Sequence, residues 1–278
     1  MNDIGEVPNE VLEEIAYLSR SVNRVRILRA LVSAPASARE LRDETGTSKT
    51  TCNRILNEFV ERSWARQTHD GSYEATPQAE HIAVQFRPFV ESMAVIRAFG
   101  DDAAVVPVDE LGWGPDSELT LSLHYFADAT VKRKRPQQQG VGRDNLAEAF
   151  RTTATLHSVS DGAPPRVVGE VLQDRADRGD LSGLVVVTTD LFEYLRDDHD
   201  GPPDWANLME SGVEVCHYDG ATPNNLTVTD EATFIWGKTN DGTHGVVISR
   251  NDAVRVWGID VIERYQNRAN EVDPWAFH

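Results

Sequence analysis

The chain has 278 residues, of which 40% are hydrophobic and 8% aromatic, and a formal net charge of −18. That length accommodates two ordinary domains. No run approaches the roughly 18 apolar residues that a membrane span needs, and the two cysteines, Cys52 and Cys216, are too few and too far apart for a disulfide framework. The charge is unevenly spread. Residues 1–98 hold 12 basic against 14 acidic side chains and residues 99–278 hold 15 against 31, yet within residues 16–69 the balance is 10 basic against 5 acidic. Phosphates repel an acidic surface, so an anionic polymer would meet this chain at the basic segment. Met1 to Glu6 carries neither a positive n-region nor an apolar stretch, so we expect no signal peptide, a cytoplasmic protein and no membrane partner.

Taken in chain order, Asn9–Leu18 shows helical apolar spacing, and Ser21 can cap a second helix striped by Val25, Leu28, Leu31 and Val32. Ala34-Pro35 ends it. Ser37 opens a short helix over Ala38–Thr45, which Gly46 terminates. Ser48 caps a helix to about Arg62, with Cys52, Ile55, Leu56, Phe59 and Val60 inward. Trp64–Thr68 and Ser72–Ala75 read as strands joined at Asp70-Gly71, a hairpin signal. Thr76-Pro77 starts further helix, which Pro88 is expected to divide into Pro77–Phe86 and Pro88–Phe99. Residues 100–115 read as a linker. Beyond it, strands are expected at Leu119–Phe126, Thr130–Arg135, Thr155–Val159, Leu184–Thr188, Val213–Tyr218, Leu226–Thr229, Thr233–Trp236 and Gly245–Ser249. Helices are expected at Arg143–Thr152, Pro165–Asp177, Leu191–Asp197, Pro203–Glu210 and Gly258–Asn270. Such alternation predicts an α/β sheet with helical cover. The fold class is therefore α/β: an N-terminal winged helix–turn–helix domain over 1–99, followed by an acidic α/β sensor-like domain over 100–278.

Residues 37–56 have helix–turn–helix spacing, with Leu41 in the first helix and Gly46 at the turn, where positive φ suits glycine. The outward face of the second helix then presents Ser48, Lys49, Thr50, Asn53, Arg54 and Asn57, types that reach base edges and phosphates. The hairpin adds Arg66 and His69. A helical hairpin alone is common; the basic polar second helix followed at once by a hairpin is what makes the motif specific. We expect double-stranded DNA as partner and a homodimer formed through Asn9–Leu18 and Pro88–Phe99.

The first 80 residues resemble archaeal winged-helix regulators of the MarR/ArsR-like kind. The larger pattern includes residues 213–215, 226–230 and the Ile262-Glu263-Arg264-Tyr265 helix, and it resembles the Fil-type methanogenesis-regulator family. Four lysines against 23 arginines, with abundant Asp, resembles the bias of salt-loving archaea; in molar salt the Debye length shrinks to about 3 Å, which screens the acidic half. The C-terminal half is also similar to the phospholipase D superfamily and to the sensor domain of TrmB-type regulators. Phospholipase D-like enzymes need His-x-Lys-(x)4-Asp with a nucleophilic His. Alignment on Asp230 puts Pro223 at the His position and Asn225 at the Lys position, so the resemblance implies a dead active site and no enzyme. The alternative is a phosphodiesterase or nucleotide-processing enzyme with an appended winged helix.

Other chemistry-bearing residues are scattered. His124, His157 and His217 fall near strand ends, where α/β clefts lie, though such histidines are more often packed or on the surface. Residues 197–200, Asp-Asp-His-Asp, resemble a cation loop, but acidic loops are also an ordinary acidic surface; we expect no metal and no cofactor. Cys52 and Cys216 fit apolar slots more readily than redox sites. Lys132, Arg133, Lys134, Arg135 and Arg143 place five cations in the acidic half. They suit an anionic effector or extra DNA contact, or simply a cation-protected edge strand.

Overall fold

The computed structural model describes residues 8–100, 121–133, 142–197, 201–222, 224–238 and 244–277. Its contacts divide the chain into two units, Met1–Val90 and Glu91–His278.

The first unit contains α1 (Asn9–Ser19), α2 (Val22–Ser33), α3 (Ala38–Thr45), α4 (Lys49–Glu61), β1 (Ala65–Gln67), β2 (Tyr73–Ala75) and the start of α5 (Pro77–Phe99). Ser37 and Glu40 form a full capping box on α3, which satisfies two amides that a helix start otherwise leaves bare. Gly46 ends α3 with φ 68°, the left-handed conformation that costs an L side chain energy. Ser48 accepts from the Thr51 amide and starts α4. Ser21 stands at the N-cap of α2 but makes no capping hydrogen bond. Leu28, Leu31, Leu41, Ile55, Leu56, Phe59 and Trp64 share one closed core. β1 and β2 pair in register Ala65↔Ala75 to Gln67↔Tyr73, so the turn is a five-residue loop, residues 68–72, rather than a two-residue Asp-Gly turn. Tyr73 also exchanges both backbone bonds with Ala36, each 2.9 Å, tying the wing to the segment that enters α3.

α5 is one continuous helix of 23 residues, with Pro88 inside it. The expected break at Pro88 is thus corrected. Proline forfeits one amide bond and typically costs about 3 kcal/mol in a helix interior, and apolar contacts before and after it hold the helix: Ala79 in the first core, Val95 and Phe99 in the second unit's core.

The second unit continues with β3 (Thr130–Arg133), α6 (Arg143–Thr152), β4 (Thr155–Ser160), α7 (Arg166–Arg178), β5 (Ser182–Thr188), α8 (Thr189–Asp197), α9 (Trp205–Glu210), β6 (Val213–Tyr218), β7 (Asn225–Thr229), β8 (Thr233–Lys238), β9 (His244–Ser249), α10 (Asp252–Gln266) and β10 (Asn270–Glu271). The sheet order is β10-β6-β5-β4-β7-β8-β9-β3. β4, β5 and β6 run parallel and the other pairs antiparallel. The Leu184–Thr188 run is buried throughout, as a central parallel strand covered on both faces demands. Leucines, valines and aromatics of α6 to α9 pack on one face. α10 and residues 121–126 cover the other.

Two expectations fail here. Leu119–Phe126 is not a strand: among its described residues, Leu123–Phe126 winds into a 3-10 turn, which turns Leu123 and Phe126, three apart, inward together. The last helix begins at Asp252, capped by Asn251, not at Gly258. A Cβ at Gly258 would stand 2.7 Å from Val228 Cγ2, so this glycine lets the helix lie close on the sheet and is no boundary. No described helix is long and apolar enough to cross a membrane.

Candidate nucleic-acid interface

α4 buries one side and exposes the other. Cys52, Ile55, Leu56 and Phe59 are sealed in the core, and the 3.6-residue period then turns Lys49, Thr50, Asn53, Arg54 and Asn57 to solvent, along with Ser48 at the cap. The structure thus brings the six residues onto one surface. Arg66 and His69 are exposed on the wing, and Arg66 pairs with Glu74 across the two strands.

Arg54 is not idle. Its guanidinium donates to Glu58 Oε1 at 2.6 Å, one turn along the helix. Glu58 Oε2 accepts from the Tyr17 hydroxyl at 2.6 Å and lies 3.4 Å from Arg24. Arg24 and Arg62 in turn lie over the Tyr17 ring, 3.8 and 4.0 Å from its centroid. Burial works against charge on Glu58, but hydrogen bonds from Tyr17 and Arg54 and the charges of Arg54 and Arg24 outweigh it and hold the carboxyl below its ordinary range. Burial first, then the carboxylate beside it, pushes the Tyr17 hydroxyl well above its usual pKa. This hub escaped sequence reasoning, because Tyr17 and Glu58 are 41 residues apart; an i,i+4 Arg54–Glu58 pair was the visible trace of it.

In the second unit the aligned acid, Asp230, has a structural task. Its carboxylate accepts from the Ala154 amide at 2.6 Å and from the Thr155 hydroxyl, and its own amide donates to Thr153 Oγ1 at 2.9 Å. Burial opposes its charge, and these donors prevail, keeping the carboxyl below its ordinary range. Asn225, at the lysine position, accepts from the Asp161 amide at 3.0 Å. Pro223 lies outside the described residues.

Residues 12–98 match the family model for the HVO_A0261 N-terminal domain, and residues 143–268 match the middle domain of the methanogenesis regulatory protein FilR1. The chain belongs to the Fil-type family of archaeal regulators. Solved structures offer only distant likeness to this Fil-type chain. TrmBL2, an archaeal chromatin protein with a DNA-binding mode described as novel, is 13% identical with a TM-score of 0.43, over 93% of this chain and 98% of its own. The phospholipase D family member Nuc from Salmonella typhimurium is 11% identical (TM-score 0.37; 52% of this chain and 98% of that one), and NucT from Helicobacter pylori is 8% identical (TM-score 0.37; 52% and 98%). No curated protein matches the sequence.

In this Fil-type sheet unit the described cations, Lys132, Arg133 and Arg143, do not all share one face. Strand alternation sends Lys132 and Arg133 of the edge strand β3 to opposite faces. Lys132 Nζ donates to Asn145 Oδ1 at 2.6 Å, in the first turn of α6. Arg143 starts that helix. Lys134 and Arg135 lie outside the described residues. The three histidines are also dispersed. His157 lies on the α10 face, where burial lowers its pKa against the pull of Glu263 and Asp230. His217 stacks on Phe192 and lies 3.0 Å from Thr189 Oγ1, and His124 bonds Ser122 at 2.8 Å. The expected acidic loop, residues 197–200, is described at Asp197 alone, and among the described residues no group of acids, His and Cys is placed to hold a metal. Both cysteines are buried. Burial, with Glu214 beside it, pushes the Cys216 thiol up to about 12, and burial raises that of Cys52. One feature had no trace in the sequence: a cavity between the sheet and α6, α7, α8 and α9, lined by Arg143, Phe150, Leu172, Val187, Trp205 and Trp236 among others.

Proposed function

We propose that this chain is a homodimeric, sequence-specific DNA-binding transcriptional regulator whose sheet unit senses a small molecule. The observation that carries the DNA reading is the solvent face of α4. Lys49, Thr50, Asn53, Arg54 and Asn57 stand on a helix held rigidly by a sealed core, with a wing beside it. Asn and Arg can read adenine and guanine edges in the major groove, while Lys49 and the wing's Arg66 suit phosphates. The regulatory description of the FilR1 family supports the same reading. Lacking a nucleophilic His and a Lys at the aligned positions, and with Asp230 engaged in tethering β4, the sheet unit supports sensing rather than hydrolysis.

The dimer reading rests on α5. Phe89, Met93 and Ile96 follow spacings of four and three along it, the period of a coiled-coil seam, while Ile82 and Phe86 on the same stripe pack against the winged unit's own core. Phe89 is 54% and Met93 51% exposed. Val11, Leu12 and Ile15 of α1 are exposed as well. Two α4 helices related by such a dimer would read half-sites about one DNA turn, roughly 34 Å, apart.

Genome-wide occupancy defines an operator, and mobility shifts on it test the assignment. Arg54→Ala is expected to weaken operator binding by about 1–3 kcal/mol, and an unchanged shift at working salt sinks the DNA reading. Met93→Glu is expected to convert a dimer to monomers in sedimentation velocity; a variant that sediments like the parent removes α5 as the seam.

A further inference from the structure

The cavity on the α6–α9 face of the sheet measures about 330 Å³. Its wall is mostly aliphatic and aromatic, but the strands beneath it break the pattern. Ser158 and Ser160 of β4 and Asn225 and Thr227 of β7 occupy the same inward face as Leu156 and Val185. A packed α/β core fills such positions with branched aliphatics. Small polar side chains there leave space and carry hydrogen-bonding groups into it. Ser158 Oγ lies 2.9 Å from Thr227 Oγ1 and donates to the Leu226 carbonyl at 3.2 Å. Ser160 Oγ donates to the Gly162 carbonyl at 2.9 Å and accepts from the Gly162 amide. The Asp161 amide holds Asn225 by its Oδ1, leaving the Nδ2 donor outside that contact.

Among the described lining residues one side chain is ionic, Arg143. It is half-buried, close to the rim where Gly162, Ala163 and Pro165 of the lining are exposed. Its Nε lies 3.3 Å from an Asp144 carboxylate that is 83% exposed, a tie of the kind that contributes little, so a better-placed anion displaces it. In a chain of net charge −18, a cavity whose sole described charge is a guanidinium selects for a negative group.

Resting on the reading of this unit as a sensor, we propose that the cavity binds a small amphipathic monocarboxylate. The apolar body packs against the Phe150, Leu172, Val187 and Trp205 side of the wall, and the carboxylate faces Arg143. The competing ligand classes fit less well. A sugar would press most of its hydroxyls against aliphatic walls without partners. A nucleotide or polyphosphate calls for several cations or a nest of amides. A plain hydrocarbon leaves Arg143 and Asn225 unused. Apolar walls with a few convergent polar groups are the usual make-up of small-molecule sites.

Trp205 and Trp236 line the cavity, so occupancy alters their emission. The full chain is titrated with octanoate and hydrocinnamate, and in parallel with octanol and hydrocinnamyl alcohol, following tryptophan fluorescence and Tm. The carboxylates are expected to quench or shift the emission, raise Tm, and bind about tenfold tighter than the matched alcohols, the worth of a charge-assisted hydrogen bond. Arg143→Gln is expected to erase that preference while leaving alcohol binding unchanged. Ser158→Leu, which fills the cavity, is expected to abolish both; should it fail to fold, Arg143→Gln decides alone. Equal affinity for acids and alcohols, no response to any carboxylate, a preference that survives Arg143→Gln, or binding that survives a folded Ser158→Leu overturns the proposal. Protein that shifts its operator yet ignores carboxylates loses this ligand and keeps the regulator reading; protein that binds carboxylates but no DNA does the reverse.

Discussion

The two units put their polar side chains in opposite places. In the winged unit the core of α1 to α4 is closed, with Ile27, Leu41, Cys52, Ile55, Leu56 and Phe59 fully buried, and the candidate functional residues all project outward from α4 and the wing. In the sheet unit, serines, a threonine and an asparagine project inward from β4 and β7 into a cavity. The first arrangement suits a large rigid partner that cannot enter a fold and must be met at the surface. The second suits a small one that can be enclosed. The contrast also predicts different tolerances. A closed core is intolerant of lost volume, whereas a wall that already borders empty space has little packing to lose.

The largest effect expected from that contrast is on stability. Phe59→Ala should cost the winged unit about 3–5 kcal/mol, read as a drop in Tm together with loss of operator binding. Replacing both Ser158 with Ala and Thr227 with Val should cost far less, about 1 kcal/mol, because the hydrogen-bonded pair is removed together and only the long Ser158 bond to the Leu226 carbonyl is lost. A drop as large as that of Phe59→Ala would place these side chains in a packed core and erase the contrast.

Acid offers a finer test. Glu58 in one unit and Asp230 in the other both have folded pKa values held below their ordinary 4.5 and 3.8. A carboxyl depressed in the folded state adds stability that is fully present above its unfolded pKa and is lost as pH falls through the folded one. Stability of each unit should therefore decline as pH drops below the range of about 4–5. Glu58→Gln should flatten the acid limb of the winged unit's unfolding, and Asp230→Asn that of the sheet unit, each followed by amide hydrogen exchange of its own helices and strands. A profile unchanged by both variants would remove these two carboxylates from the acid limb. The smallest effect is at the thiols. With both sulfurs buried and both pKa values raised, a thiol-specific reagent at neutral pH should label neither until denaturant is added, as the thiolate is the reactive form.

How much of this was legible beforehand followed from how local each cause is. Ser48, Gly46 and the inward residues Cys52, Ile55, Leu56 and Phe59 state the position and facing of α4 within one short stretch, so the exposed face could be named from the sequence, although Val60, expected inward, is 42% exposed. The run of leucines at 119, 121 and 123 also has a local period, two, but Leu123 and Phe126 pack inward at a spacing of three; tertiary packing overrode the pattern. Pro88 is a sound local signal for a break that α5 overrides through contacts on either side of it. Gly258 looked like the start of a helix because its reason for being glycine, the closeness of Val228, lies 30 residues away. The cavity was not legible at all. It arises where β4, β7 and four helices fail to fill a volume, and no residue states an absence. The Glu58 hub belongs to the same kind, with three of its partners on other turns or other helices.

On the proposed reading of α4 as the DNA-facing helix, that hub makes binding at Arg54 an exchange reaction. Glu58 already supplies Arg54 with an oxygen anion at 2.6 Å, so a phosphate or a guanine edge gains only the difference between itself and the carboxylate it displaces. Loose encounters with an anionic polymer, which offer one weak oxygen in poor geometry, fall short of that threshold. A fully registered contact, in which Asn53 and Lys49 engage beside it, clears it. The carboxylate so released does not become an orphan, since Tyr17 and Arg24 still hold its other oxygen. On that reading α4 carries its own competitor for DNA, tethered one turn from the arginine that it occupies.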